Sequence, residues 1–439
     1  MTVLMPRPCE QVSGLLRLTT AGSVDDGKST LVGRLLHDTQ SILADQLAAV
    51  GRATRARGGN GSPDLALLTD GLRAEREQGI TIDVAYRYFA TPARKFILAD
   101  CPGHVQYTRN TVTGASTAEL AVVLVDARNG LVEQTRRHLA VAAFLRVPHV
   151  VLAVNKMDLV DFDALMFRRI ESEFAAAAAA LGVPDVVSVP VSALHGDNVA
   201  TRSARTGWYD GPTLLEHLEA VPTGREAVAE PMRFPVQLVL RPRTPEHPDY
   251  RGLAGRIASG VLQVGDEVIA LPSAVRSLVA GIDTPDGPVS RAAAGESVTV
   301  LLADEIDAGR GEVLAHPSQP PRVVTELDAD LCWLADRPLR PGARVLVKHG
   351  TRTVRAIVTE LTGRLDLHTL RHTEPPNSLE LNEIGGAKLR LAESLAVDTY
   401  ATDRHTGGFL VIDVGDGNTL AAGLVGADPA QELPAWDVA

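Results

Sequence analysis

With 439 residues, 45% of them hydrophobic and 22% charged, the chain has the composition of an ordinary globular protein and room for two to four domains. Its net charge of −11, from 54 acidic against 43 basic residues, argues against broad binding to a nucleic-acid backbone, which needs clustered Lys and Arg. Three scattered cysteines (Cys9, Cys101, Cys332), no signal-peptide core and no apolar run near the ~20 residues that span a bilayer point to free thiols and a cytoplasmic protein with no membrane partner.

From Leu15 to Leu218 short apolar strands alternate with helical patterns, which predicts a mostly parallel sheet built from βαβ units. The strand at Leu15–Leu18 runs into GSVDDGKST, Gly22 to Thr30, which fits G-x-x-x-x-G-K-[ST]. In that pattern Gly22 and Gly27 let the backbone N–H groups of Ser23, Val24, Asp25 and Asp26 turn inward as a nest for phosphate oxygens. A helix starting near Lys28 adds its positive end; Lys28 reaches the β- and γ-phosphates, and Ser29, followed by Thr30, offers a hydroxyl to Mg²⁺. In EREQGITI, Glu75 to Ile82, Thr81 is a candidate to ligate Mg²⁺ from a loop ordered by the γ-phosphate.

The strand Phe96–Asp100 ends in DCPGH. There Asp100 suits holding Mg²⁺ through water, Gly103 can give its N–H to the γ-phosphate, and His104 can orient the attacking water. Strands at Leu120–Asp126 and Val150–Asn155 flank a helix at Glu133–Phe144. The second strand runs into NKMD, in which Asp158 matches the N1–H and 2-amino donors of guanine, Asn155 supports the loop and can meet the other edge of the base, and Lys156 lies over the base. A helix at Asp163–Leu181 carries the run Ala175–Ala180, expected as plain surface helix. The strand Val186–Val191 leads to Ser192, Ala193 and Leu194, whose N–H groups could meet the guanine carbonyl, and a last helix is expected from about Pro212. In order and placement these motifs read as a domain that binds and hydrolyses GTP with Mg²⁺.

After Val221 the texture changes to short strands between Gly, Pro and Asp turns. Strands at Val236–Leu240, Ala254–Ile257, Glu267–Ala270 and Ser297–Leu302 predict one β-barrel. Those at Arg344–Lys348, Arg355–Glu360, Ala387–Leu391 and Gly408–Asp413 predict a second. The expected fold is therefore an α/β P-loop GTPase domain over residues 1–225, its sheet flanked by helices, followed by two small antiparallel β-barrels over 230–318 and 319–439.

The stretches VDDGKSTLVGRLLHDT, LTDGLRAEREQGITIDVAYRYF and FILADCPGHVQYTRNTVTGAS, with DYRGLAGRIASGVLQVGDEV and RPLRPGARVLVKHGTRTV in the barrels, carry a family likeness. They resemble the large GTPase subunit of bacterial sulfate adenylyltransferase, within the translation-factor class of GTPases. The resemblance implies a small catalytic partner subunit that binds ATP and sulfate and forms adenylyl sulfate and pyrophosphate, driven by GTP hydrolysis in this subunit. DCPGH departs from many relatives in having Cys101 where they have Thr. Some relatives carry a C-terminal adenylyl-sulfate kinase; among five lysines here, Lys28 alone stands in G-K-[ST], so a stand-alone subunit is expected. The alternative is a factor delivering tRNA or a protein to the ribosome, to which the eight basic and two acidic residues of Arg337–Arg371 lend some support.

Overall fold

The computed structural model describes residues 14–42, 44–56, 65–68, 83–183, 185–222, 225–245 and 249–426. The chain divides into two compact units, Met1–Thr223 with Leu367–Arg371, and Gly224–Asp366 with His372–Ala439.

The first unit is built on a six-stranded sheet: β1 (Leu15–Ala21), β2 (Ala85–Ala90), β3 (Lys95–Asp100), β4 (Leu120–Asp126), β5 (His149–Asn155) and β6 (Val186–Pro190), in the order β2-β3-β1-β4-β5-β6. Only β2 is antiparallel to its neighbour. Continuous apolar strands such as LAVVLVD are buried on both faces of a parallel sheet, and every residue of β4 is buried. Val122 and Leu124 face a core with Leu16, Leu18, Leu31 and Leu35. Val123 and Val125 face the opposite one, with Leu139, Ile170 and Phe174. Because β1, β3, β5 and β6 run parallel, the loops that start at Gly22, Cys101, Lys156 and Val191 all emerge at one edge of the sheet.

Helices α1 (Lys28–Asp38), α2 (Ala44–Ala56), α3 (Thr108–Ala115), α4 (Glu133–Phe144), α5 (Ala164–Ala180) and α6 (Leu214–Ala220) complete the unit. Asp163 caps α5, its carboxylate accepting from Leu165 N at 2.8 Å. The alanine run differs from the expected surface helix. Ala177 and Ala178 pack into the core below Phe174, while their neighbours in the run are exposed. Helix α6 also starts later than the proline suggests, because Thr213 and Glu216 form a capping box: Glu216 N donates to Thr213 Oγ1 at 3.2 Å and Thr213 N to Glu216 Oε2 at 2.7 Å. Pro212 therefore precedes the cap and does not occupy the first turn.

The second unit opens with α7 (Arg225–Ala229) and continues as β7 (Arg233–Leu240), β8 (Gly252–Arg256), β9 (Val261–Gln263), β10 (Glu267–Leu271), β11 (Val275–Thr284), β12 (Gly287–Val289), β13 (Arg291–Ala293), β14 (Ser297–Leu302) and β15 (Val313–Ala315). The order β10-β15-β7-β8-β14-β11 closes on itself through β10–β11 around Phe234, Val236, Leu253 and Val300. After Pro320 and Pro321 come β16 (Arg322–Trp333), β17 (Arg344–His349), β18 (Arg352–Asp366), β19 (Arg371–Thr373), β20 (Ile384–Val397), β21 (Gly408–Ile412) and β22 (Thr419–Val425). Their order β17-β21-β22-β16-β20-β18 closes through β17–β18 over Trp333, Val347, Val358 and Val411. Closure removes the free edges that short antiparallel strands would otherwise expose.

A buried ion pair joins the chain of the two barrels. Arg233 Nε donates to Asp398 Oδ2 and its Nη2 to Oδ1, both at 2.8 Å, and Thr406 Oγ1 donates to Asp398 Oδ2 at 2.7 Å. Removing one partner would leave the other charge buried and uncompensated. Asp398→Ala is therefore expected to cost about 3–5 kcal/mol. Urea unfolding reads this out, and an unchanged midpoint would show that the pair contributes nothing.

Three of the seven arginines in the basic stretch pair with acidic residues of the same barrel. Arg337 pairs with Asp413, Arg352 with Glu393 at 2.8 Å, and Arg364 with Glu383 at 3.0 Å. That is the arrangement of a solvated barrel face. Among the described residues no helix is long and apolar enough to cross a membrane.

Candidate nucleotide site

The loop between β1 and α1 closes on itself through Asp26, whose Oδ2 accepts from Ser23 N at 2.6 Å. Asp25, at φ 68°, and Gly27, at φ 93°, adopt left-handed conformations. A Cβ at Gly27 would stand 2.5 Å from Asn155 Nδ2, so the second glycine of the motif is required by conformation and by space. No side chain caps α1, which leaves its N-terminus to an anion. Ser29 and Thr30 stand half-buried in that first turn. Lys28 is buried and donates to Gly22 O at 2.8 Å and to Ser23 O at 2.7 Å. Burial pulls its ammonium below the usual lysine range, against the opposing pull of Asp100 and Asp26.

Strand β3 delivers Asp100 beside this loop. Its carboxylate is buried and accepts from Thr20 Oγ1 at 2.9 Å. Gly103 comes so close that a Cβ there would meet Gly22 O at 2.6 Å and crowd Lys28 Nζ. His104 follows, half-buried, in an extended conformation, with Nδ1 accepting from Gln106 N at 3.3 Å. That bond leaves Nε2 to carry the proton of the neutral ring. Cys101 is packed, 3.2 Å from Thr19 Oγ1, and burial pushes its thiol up to about 12, which disfavours the reactive thiolate.

At the other end of the site Asn155 connects three loops: its Nδ2 donates to Asp26 O at 2.8 Å and its Oδ1 accepts from Ala193 N at 3.0 Å. Both its polar ends are thus engaged within the protein, where they hold the neighbouring loops together. Lys156, left-handed at φ 61°, donates to Asp25 O and pairs with Asp126 at 3.0 Å. Asp158 Oδ1 accepts from Ser192 Oγ at 2.6 Å, fixing the carboxylate beside the Ser192–Leu194 loop. Arg34 of α1 donates to the carbonyls of Ala193 and Leu194 and holds that loop from the opposite side. Thr81 lies outside the described residues.

Asp126 and Arg128 stand outside the motifs that the sequence displays. Asp126, at the end of β4, accepts from Arg128 Nε at 3.0 Å and Nη2 at 2.7 Å in addition to Lys156. Burial pushes its carboxyl up, but the bonds from Arg128 and Lys156 outweigh this and hold it below the usual carboxylate range. The signal available was an acidic residue ending an apolar strand at the edge that carries the motifs.

Residues 14–230 match the family described as Elongation factor Tu GTP binding domain, and residues 326–426 match the GTP-eEF1A C-terminal domain-like family. The chain is 50% identical over 421 residues to sulfate adenylyltransferase subunit 1 of Shewanella oneidensis, covering 95% of this chain and 86% of that protein. The chain belongs to the sulfate adenylyltransferase subunit 1 family. It is also 54% identical over 421 residues to the bifunctional enzyme CysN/CysC of Mycobacterium tuberculosis, covering 96% of this chain and 68% of that protein. A third relative, the bifunctional enzyme NodQ of Rhizobium sp., is 48% identical over 417 residues, 95% of this chain and 64% of that protein.

For a member of this family the expected reading of guanine by Asp158 can be tested directly. Asp158→Asn keeps an acceptor for Ser192 but replaces one carboxylate oxygen with an amide donor. The variant is expected to lose about 10²-fold in GTP affinity and to gain affinity for xanthosine triphosphate, which presents an acceptor where guanine has its amino group. Competition titration with both nucleotides measures this. Undiminished preference for GTP would remove Asp158 from base recognition.

Proposed function

We propose that this chain is the GTPase subunit of a heterodimeric, cytoplasmic sulfate adenylyltransferase in sulfate assimilation. Its GTP hydrolysis drives a small catalytic partner, which binds ATP and sulfate, to form adenylyl sulfate and pyrophosphate. The observation that carries this reading is the identity of one half over nearly the whole chain to proteins named sulfate adenylyltransferase subunit 1. The ribosomal alternative has less support: the relatives are named otherwise, and the chain is acidic. Functionally the chain is read as a GTP-binding domain over 1–225 and two barrels over 230–318 and 319–439.

In this reading the backbone of Gly22–Gly27 cradles the phosphates, Lys28 meets their β- and γ-oxygens, and Gly103 N–H meets the γ-phosphate. Ser29, Asp100 and Thr81 would hold Mg²⁺. The donors fit: they are hard oxygens, and the Asp100 carboxylate is buried beside Lys28 at the phosphate loop. When bound, Mg²⁺ neutralises charge on the phosphate oxygens. Asp158 reads guanine, Lys156 covers its plane with the ammonium pinned by Asp126, and His104 orients the water.

The test is GTP hydrolysis by the chain alone and with its candidate small subunit, with and without ATP and sulfate. Hydrolysis should rise, and adenylyl sulfate accumulate, only when partner and both substrates are present. A rate indifferent to all three would refute the coupled reading.

A further inference from the structure

The loop that follows β6 is held from two directions. On the NKMD side, Asn155 Oδ1 accepts from Ala193 N at 3.0 Å and Asp158 Oδ1 from Ser192 Oγ at 2.6 Å. On the other side stands Arg34, which lies on α1 outside the nucleotide motifs with 18% of its side chain exposed. Its Nε donates to Ala193 O at 3.1 Å and its Nη2 to Leu194 O, while Nη1 lies 3.5 Å from Asp38 Oδ1, one turn further along the helix. All three nitrogens of the planar fork are thus engaged, which fixes its orientation. The stem packs on the turn at Gly196, left-handed at φ 88°, where a Cβ would stand 3.5 Å from Arg34 Cδ.

The backbone donors of this loop are spent unequally. Ser192 N donates to Asp197 O at 3.2 Å, Ala193 N to Asn155, and His195 N to Ser192 Oγ at 3.4 Å. Leu194 N–H meets no acceptor among the described residues. A trans peptide unit is planar, with its C=O and N–H pointing in opposite directions. Ala193 O and Leu194 N–H belong to one such unit, so the grip of Arg34 on the carbonyl also sets the direction of the N–H. We propose that Arg34 is a positioning residue for guanine recognition, aiming Leu194 N–H at the C6 carbonyl of the base. Selectivity at C6 then depends on Arg34, whereas selectivity at N1 and the 2-amino group depends on Asp158. The anchor is rigid. Helix α1 begins at Lys28, where the phosphate loop ends, and Leu31, Val32 and Leu35 bury it in the core. One helix therefore registers the base loop against the phosphates before a nucleotide arrives, and a donor ordered in advance costs little to order on binding.

The proposal rests on the GTPase reading, and the experiment separates the two. Wild-type chain is titrated first with GDP; failure to bind it refutes that reading itself. GDP, inosine diphosphate and 6-thioguanosine diphosphate are then compared on wild type, Arg34→Ala and Arg34→Lys. Inosine keeps the C6 carbonyl and lacks the 2-amino group. The thio analogue keeps the amino group and carries sulfur, a weaker acceptor, at C6. Wild type is expected to prefer GDP over both. In Arg34→Ala the preference over the thio analogue should shrink by about fivefold to tenfold, the worth of one hydrogen bond, while the preference over inosine diphosphate stays within about twofold. Arg34→Lys, which offers one ammonium where two carbonyls meet a fork, should fall between. An arginine with only a structural role would shift all three affinities by one factor, or by none, and leave both preferences unmoved. That result, a joint loss of both preferences, or a wild type that does not tell GDP from its thio analogue, overturns the proposal. Should Arg34→Ala fail to fold, Arg34→Lys against wild type carries the same comparison, its shift confined to the preference at C6.

Discussion

His104→Ala is expected to bind GTP with an affinity within about threefold of wild type while hydrolysing it about 10²–10³-fold more slowly. In the proposed site the phosphates meet backbone N–H groups of the Gly22–Gly27 loop and Lys28, and the His104 side chain is not among these groups, so binding has little to lose. Hydrolysis depends on one water being held in line with the γ-phosphate, and phosphoryl transfer leaves the protein little to do beyond such positioning and charge stabilisation. In the proposed mechanism His104 holds that water. Its backbone follows Gly103 directly, and Nδ1 is engaged by Gln106 N, which leaves Nε2–H as the outward donor. Alanine also deletes that small cap at Val105–Tyr107, a local cost of about 1 kcal/mol. His104→Gln, which keeps a donor, should lie between the two. Single-turnover hydrolysis beside equilibrium titration separates the effects. Equal loss of binding and hydrolysis, or full activity in His104→Ala, would remove His104 from the reaction.

The motif loops were legible because their residue types answer backbone demands that few alternatives satisfy. Gly27 is needed for its positive φ and for the space of Asn155 Nδ2, and Asn155 in turn needs an amide to serve Asp26 O and Ala193 N together. Such requirements leave fixed spacings in the sequence. The parallel strands were legible for a different reason: burial on both faces makes them continuous apolar runs, as in β4.

What the sequence hid depends on partners distant along the chain. Asp126 reads as the polar end of a strand until Arg128 and Lys156 are seen around it. In the barrels the expected Arg355–Glu360 is the middle of the fifteen-residue β18, whose pairing with β20 shifts register between Val358 and Glu360 and again between Leu361 and Gly363. Each shift breaks the alternation of inward and outward residues, so the period-two signal stops where the strand bends and continues. The cap at Thr213 carries the same lesson. Pro212 invites a helix start, but the reciprocal Thr213–Glu216 bonds decide it.

Lys28→Ala is expected to weaken GTP and GDP binding by about 10²–10³-fold, and Lys28→Arg to fare little better. The lysine is buried, and its ammonium bridges Gly22 O and Ser23 O beside two carboxylates, Asp100 and Asp26. Its removal deletes the charge that phosphate oxygens would meet and leaves those carboxylates facing the incoming anion without a cation between them. Losing one partner of a buried, hydrogen-bonded charge pair costs about 2–5 kcal/mol, which is the source of the expected range. The arginine variant separates charge from shape. Gly103 and the loop carbonyls pack closely around Nζ, and a planar guanidinium is wider than an ammonium. If charge alone mattered, arginine would restore most of the affinity. If the fit of the loop matters as much, it fails along with alanine while the chain stays folded. Unchanged affinity in Lys28→Ala would instead mean that the loop at Gly22–Thr30 does not hold phosphate.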